Sequence, residues 1–189
     1  MSGGTTEIWL ARHGETTWSR DGLHTSVTDL PLTERGMEQA RALASRLTGH
    51  EFALVISSPR ARARLTAELA GFPDADVDDD LVEWFYGRYE GVSTAEIRLT
   101  VPNWTVWSHP TPEGETADEV GARVDRVLER AESAGGDVLI FAHAHALRVL
   151  TARWLRLPPL EGRHFRLDTG TISVLGYERG FRVLRLWNA

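Results

Sequence analysis

The sequence predicts an α/β fold: a three-layer αβα sandwich whose central sheet is mostly parallel and carries an antiparallel edge. Three observations predict it. Along the 189-residue chain, short apolar runs alternate with longer stretches of helical period, as βα units require. The runs are apolar on both faces, which suits strands covered by helices on each side. The chain then closes with two extended segments joined at Glu178-Arg179-Gly180, a hairpin signature. No repeat, low-complexity tract or Pro/Gly/Ser linker intervenes, so residues 1–189 read as one domain.

Each element has a local reason. Ile8-Trp9-Leu10-Ala11, Phe52 to Ile56 and Val138-Leu139-Ile140-Phe141 are the short buried strands, the last entered from Gly135-Gly136. Thr33 to Leu47 is a helix with Thr33 as N-cap and Met37, Ala40, Ala44 and Leu47 on one face. Ser93 and Glu96 form a capping box ahead of a short helix that stops before Pro102. Thr116 and Glu119 form another, followed by Val120, Val124, Val127, Leu128 and Ala131 at helical spacing. Ala146 to Leu155 is helical and ends before Pro158-Pro159; His164 to Leu167, Thr171 to Leu175 and Arg182 to Trp187 read as extended.

Composition excludes several chemistries. All 21 basic residues are arginine, and there is no lysine and no cysteine. A Walker A loop, a Schiff-base enzyme, a thiol nucleophile and a cysteine-ligated zinc are therefore out. Any anion must be held by arginine, histidine or backbone N–H groups. A net charge of −6 argues against nucleic acid or anionic membrane as a partner. No apolar run approaches the roughly 20 residues of a membrane span. Met1 to Thr6 lack the layout of a signal peptide, so the cytoplasm is the expected compartment.

Four blocks carry chemistry. Arg12-His13-Gly14-Glu15-Thr16 follows the first strand, where ligand sites of open α/β sheets gather, and Gly14 would let backbone approach an anion. Ser58-Pro59-Arg60-Ala61-Arg62-Ala63-Arg64 opens a helix at the end of the second strand. A helix N-terminus and an arginine there suit phosphate, but at most one or two of these arginines can point at the strand ends. Glu83-Trp84-Phe85-Tyr86-Gly87 and Glu90 mix carboxylates with aromatics. A carboxylate desolvated by Trp84 and Phe85 would suit a general acid, though this reasoning does not choose between Glu83 and Glu90. Ala142-His143-Ala144-His145 follows the clearest strand. His-x-His with His13 and His24 invites a metal, but no carboxylate is adjacent and nearby arginines would repel a cation, so none is expected. Two histidines, two arginines and a carboxylate at three strand ends make a phosphate trap with a nucleophile and a proton donor.

The strings Arg-His-Gly-Glu-Thr, Ser-Pro-x-x-Arg-Ala-x-x-Thr-Ala-Glu, Glu-x-x-Tyr-Gly and a late Ala-His resemble the histidine phosphatase (phosphoglycerate-mutase-like) superfamily. The match runs from about Glu7 to the last strand. Trp18-Ser19, His24-Thr25, Thr28 to Thr33, Glu83-Trp84 and Phe141 to Arg148 look most like its sedoheptulose- and fructose-bisphosphatase-like branch and acid-phosphatase relatives. The resemblance implies a phosphatase of sugar phosphates or bisphosphates, without cofactor or metal. It makes His13 the nucleophile, Arg12, Arg62 and His143 the phosphoryl-binding groups, and Glu83 the proton donor. His143 would serve best protonated. It also implies His24, Thr25, Ser26, Tyr86, Ala144, His145 and Arg148 as substrate contacts.

Ser26 and Ala144 stand where the family usually has glycine, and each added Cβ restricts backbone approach. A substrate-roofing insertion is expected at about residues 90–116, with Trp104, Trp107 and His109 over the site. A mutase shares the same catalytic set, but the segment Val101 to Thr116 contains no arginine to grip a phosphoglycerate carboxylate. A non-catalytic phosphate-binding protein on the same fold is the other rival. The C-terminal hairpin leaves an edge that is either open or the seam of a homodimer.

Overall fold

A computed structural model describes residues 6–189; the leader reading of residues 1–5 lies outside them. The strands are β1 (Ile8–Arg12), β2 (Leu54–Ser57), β3 (Asp76–Val77), β4 (Val138–Ala142), β5 (Ile172–Glu178) and β6 (Phe181–Leu186). The α-helices are α1 (Thr17–Asp21), α2 (Glu34–Leu47), α3 (Ala61–Leu69), α4 (Thr94–Ile97), α5 (Ala117–Glu132) and α6 (Ala144–Trp154). Short 3-10 helices cover Asp79–Leu81, Gly87–Tyr89 and Pro159–His164.

The sheet order is β3-β2-β4-β1-β5-β6. β3, β2, β4 and β1 run parallel to one another, while β5 and β6 supply the antiparallel edge. One face packs Ala11, Leu139 and Phe141 against Leu43 and Leu47 of α2 and Ala67 of α3. The other packs Ile8, Leu10 and Ile140 against Val124 and Val127 of α5 and Leu147 and Leu150 of α6. β4 is buried along its whole length, which is why its sequence is apolar without alternation. Arg179 and Gly180 both have positive φ, 50° and 83°, giving the two-residue turn whose twist matches a β5–β6 hairpin.

Several boundaries differ from the sequence reading. β2 starts at Leu54, because Phe52 only packs beside the strand, against Trp9 and Phe72. The buried stripe of α2 is Gly36, Ala40, Leu43 and Leu47, with Met37 and Ala44 at its margin. α6 begins at Ala144, two residues early, so Ala144 and His145 form its first turn. His164 ends a 3-10 helix and residues 165–168 form a loop, not the extended segment expected. Helix α1 and the short β3 were not anticipated; neither carries a buried residue.

Candidate active site

Sheet register brings the blocks together. Arg12 pairs with Ala142 and Ser57 with Phe141, so β1, β2 and β4 end level. His13 N–H then donates to Ala142 O at 3.0 Å, and Ser58 N–H to Phe141 O at 2.9 Å. His13, Ser58 and His143 thus emerge side by side. Gly14 has a different use from the one expected. A Cβ there would sit 2.2 Å from Gly36 O, and its N–H already donates to Thr66 Oγ1 at 3.1 Å. The glycine lets the His13 loop lock onto α2, and its backbone is not open to an anion.

His13 Nδ1–H donates to Gly14 O at 2.7 Å, which leaves Nε2 with its lone pair. Burial, then the charges of Arg12 and Arg62, hold its pKa well below the usual imidazole value. The ring of His143 lies 5.1 Å away, centroid to centroid. Arg62 is 1% exposed; its Nη atoms donate to Thr28 O at 3.0 Å and Ser26 O at 3.2 Å. Arg12 Nη1 donates to Leu167 O at 2.6 Å, and His143 Nε2 meets Ser58 Oγ at 2.8 Å. Among the described residues only four buried side-chain nitrogens or oxygens lack a partner. Three of them, Arg12 Nε, Arg62 Nε and His143 Nδ1, belong to this one cluster. An unpaired buried polar atom costs roughly 1–3 kcal/mol, so three of them in one cluster are groups for which the protein itself supplies no partner.

Glu83 and Glu90, inseparable by sequence chemistry, have different positions. Glu90 takes Ser26 N–H and Thr28 N–H, bracing the loop that anchors Arg62. Glu83 is 4% exposed and lines a cavity of about 300 Å³ together with Arg12 and His13. Its Oε1 accepts from Trp84 N and Ala146 N, both at 2.9 Å, and its Oε2 from His145 N at 3.0 Å. The aromatic desolvation expected from Trp84 and Phe85 is not how it is held. Trp84 turns into the core and Phe85 is exposed, while backbone N–H groups at the start of α6 take the carboxylate. The α3 N-terminus is likewise filled, by Asp29 accepting from Ala61 N at 3.0 Å.

A profile described as Histidine phosphatase superfamily (branch 1) matches residues 8–189. The chain belongs to that superfamily. It is 42% identical over 182 residues to an acid phosphatase of Mycobacterium tuberculosis, covering 94% of this chain and 89% of that one. It is 36% identical over 181 residues to sedoheptulose 1,7-bisphosphatase of Saccharomyces cerevisiae, covering 78% of this chain and 67% of that one. The solved structure of an open-reading-frame product of Mycobacterium tuberculosis superposes with a TM-score of 0.92 at 40% identity, covering 97% of each chain.

In this histidine phosphatase the cavity wall beyond the strand ends is aromatic and polar. His24, Thr25, Tyr86, Ala144, His145 and Arg148 all line it. Tyr86 hydroxyl and His145 Nδ1 share a hydrogen bond of 2.6 Å; burial and Glu83 push the pKa of Tyr86 up, and burial and Arg148 push that of His145 down, so both are neutral. Burial lowers the His24 pKa to about 4, and its ring lies 4.7 Å from that of Tyr86, tilted by 40°. Arg148 lies 4.7 Å over Trp107 and donates to Gly162 O at 3.1 Å.

Other expectations need correction. Ser26 does not line the cavity: it is buried, and its hydroxyl donates to Glu83 O at 3.2 Å. No residue of 90–116 is in the cavity wall, and neither are Arg62 and His143. Trp104 and Trp107 instead back His24 and His145, at 5.2 Å each, and His109 borders a separate hollow. His143 was expected to be protonated. Burial, then Arg62, His13 and Arg12, hold its pKa well below the usual value. Thr16, Ser19, Leu23, Arg166, Leu167 and Asp168 line the cavity and were missed. The last three were hidden by reading 164–167 as extended, and the Leu167 carbonyl leaves no mark in side-chain chemistry. No group of three His, Asp or Glu side chains among the described residues is arranged to hold a metal ion.

Proposed function

We propose that this histidine phosphatase hydrolyses phosphate monoesters, of the sugar phosphate or bisphosphate class, through a phosphohistidine on His13. The observation that carries the reading is a neutral His13 with a free Nε2, 5.1 Å from the His143 ring and within reach of the charges of Arg12 and Arg62, where Arg12 Nε, Arg62 Nε and His143 Nδ1 are buried without partners. Nε2 attacks phosphorus, and charge on the three equatorial oxygens is met by guanidinium and imidazole donors that need no reorganisation. A dianionic ester also favours a proton on His143, opposing the bias of burial and of its cationic neighbours.

Glu83 gives its proton to the departing oxygen, releasing the alcohol. Oε2 is the oxygen for this step, because it accepts one backbone hydrogen bond where Oε1 accepts two. The same carboxylate then takes a proton from water as that water attacks the phosphohistidine, freeing phosphate and His13. Tyr86, His145, His24 and Arg148 provide donors of the kind that hold sugar hydroxyls in a cavity of this size. The reading takes residues 1–189 as one catalytic domain in the cytoplasm, with a small phosphate ester as its partner. No helix among the described residues is long and apolar enough to cross a membrane.

Mutase-type phosphoryl transfer is less well supported, because no arginine of 101–116 exists to hold a carboxylate and that segment does not line the cavity. The test is phosphate release from a panel of sugar mono- and bisphosphates, with phosphoglycerate interconversion assayed in parallel. His13→Ala should lose at least about 10³-fold in turnover while remaining folded, and chelator should leave the parent enzyme unchanged. Unchanged turnover in the variant, or interconversion with little release, would overturn the proposal.

A further inference from the structure

Arg12 depends on a loop whose Leu167 side chain is buried in the core but whose backbone is held mainly by side chains. The one hydrogen bond of its side chain runs from Nη1 to the carbonyl of Leu167, 2.6 Å away. That bond sets the plane of the guanidinium and leaves Nε without a partner. Among the described residues, Arg166, Leu167 and Asp168 make no main-chain to main-chain hydrogen bond. What holds them comes chiefly from the segment after β6. Trp187 Nε1 donates to Arg166 O at 2.5 Å. Asp168 N–H donates to Asn188 Oδ1 at 2.7 Å, and Asn188 Nδ2 returns a bond to Asp168 Oδ2 at 2.9 Å.

Asn188 is in turn bolted to the sheet. Its N–H donates to Ser173 Oγ at 3.0 Å, and Ala189 exchanges main-chain bonds with Ile172, 3.0 and 3.1 Å, on β5. Its φ of 54° is left-handed, a conformation asparagine tolerates better than most residues. β5 lies beside β1, the strand that ends in Arg12. The route from Asn188 through Asp168 and Leu167 to Arg12 is therefore continuous and short.

We infer that Asn188 is a positioning residue for Arg12: its two-point clasp on Asp168 fixes the Leu167 carbonyl that orients the guanidinium toward the phosphoryl group. The inference rests on the proposed function for the role of Arg12. A tail that only sealed the hairpin would matter for stability and not for oxyanion binding. Asp168 adds a negative charge that favours the charged guanidinium, so the same clasp also sets where that charge lies.

Asn188→Gly is the informative variant, because glycine adopts the left-handed backbone freely and only the clasp is lost. On p-nitrophenyl phosphate it should lower kcat/KM about tenfold, since a misplaced donor loses alignment with the reacting group. Calorimetric affinity for orthovanadate should fall by a similar factor. In an Arg12→Ala background the same change should cost less than about twofold, because the residue it acts through is gone. Values within about twofold of the parent, or losses that add to those of Arg12→Ala, would overturn the inference. If Asn188→Gly does not fold, Asp168→Ala opens the Nδ2–Oδ2 half of the clasp from a half-exposed side chain: a loss that shrinks in the Arg12→Ala background supports the inference, and one that adds to that of Arg12→Ala overturns it. A parent protein without turnover would count against the proposed function, while the orthovanadate arm would still decide the role of Asn188.

Discussion

The N–H of Ala146 donates to Oε1 of Glu83 at 2.9 Å, so one carboxylate both faces the cavity and anchors the first turn of α6. His143 provides no side-chain cap for that helix. Glu83 supplies the missing acceptor from 62 and 63 residues away, for His145 N and Ala146 N respectively. The start of the helix is positive, which suits a carboxylate there. Chemistry and helix capping therefore share one side chain.

Glu83→Gln should consequently lose on two counts. Its amide offers one acceptor oxygen where the carboxylate has two, so α6 loses part of its cap and Tm falls. Removing a general acid should lower turnover of a sugar phosphate by about 10²–10⁴-fold. The loss should be smaller on p-nitrophenyl phosphate, whose leaving group needs less protonation. Equal losses on both substrates would remove the proton-donor role.

Gly14→Ala is expected to damage the fold before the chemistry. The new Cβ would sit 2.2 Å from Gly36 O and 2.8 Å from Gly36 C, both main-chain atoms that cannot swing away. Overpacking of this kind costs about 1–3 kcal/mol or more. Chemical denaturation should show that loss, and a variant as stable as the parent would refute the close approach.

Ser26→Ala removes the hydroxyl that donates to Glu83 O, while the Ser26 N–H stays on Glu90. One neutral hydrogen bond is worth about 1 kcal/mol. Stability should drop by that amount and KM should stay within about twofold. A large KM change with unaltered stability would return Ser26 to the substrate contacts.

Stability should fall as the medium is acidified. His13, His143 and His145 are held neutral well below the usual imidazole pKa, chiefly by burial, and His24 is held at about 4 for the same reason. Between the folded values and the unfolded value near 6.5, the unfolded chain binds more protons, so each histidine's contribution is present above about pH 6.5 and lost below it. The slope is at most about 1.4 kcal/mol per pH unit for each such group. Urea midpoints should therefore fall between pH 7 and pH 5, and His24→Asn should flatten the part of that fall which ends near pH 4. A midpoint that rises over the interval would contradict the buried neutral state.

The sequence by itself determined the parts whose physics is local or periodic. The apolar runs of β1 and β4, the Thr33 and Thr116 caps, and the stripe from Val120 to Ala131 follow from burial and capping that neighbouring residues express. Side-chain chemistry at strand ends also marked out His13, His143 and the blocks that contain Arg62 and Glu83, and the family resemblance chose those two within their blocks. Tertiary structure alone decided what depends on partners far along the chain. It separated Glu83 from Glu90 by which backbone N–H groups each carboxylate meets. It used Gly14 for contact with Gly36, turned Ser26 away from the cavity, and set the protonation of His143 through burial first and its cationic neighbours second. It brought the Leu167 carbonyl to Arg12, 155 residues apart in the chain. A main-chain carbonyl is common to every residue, so only folding can single one out.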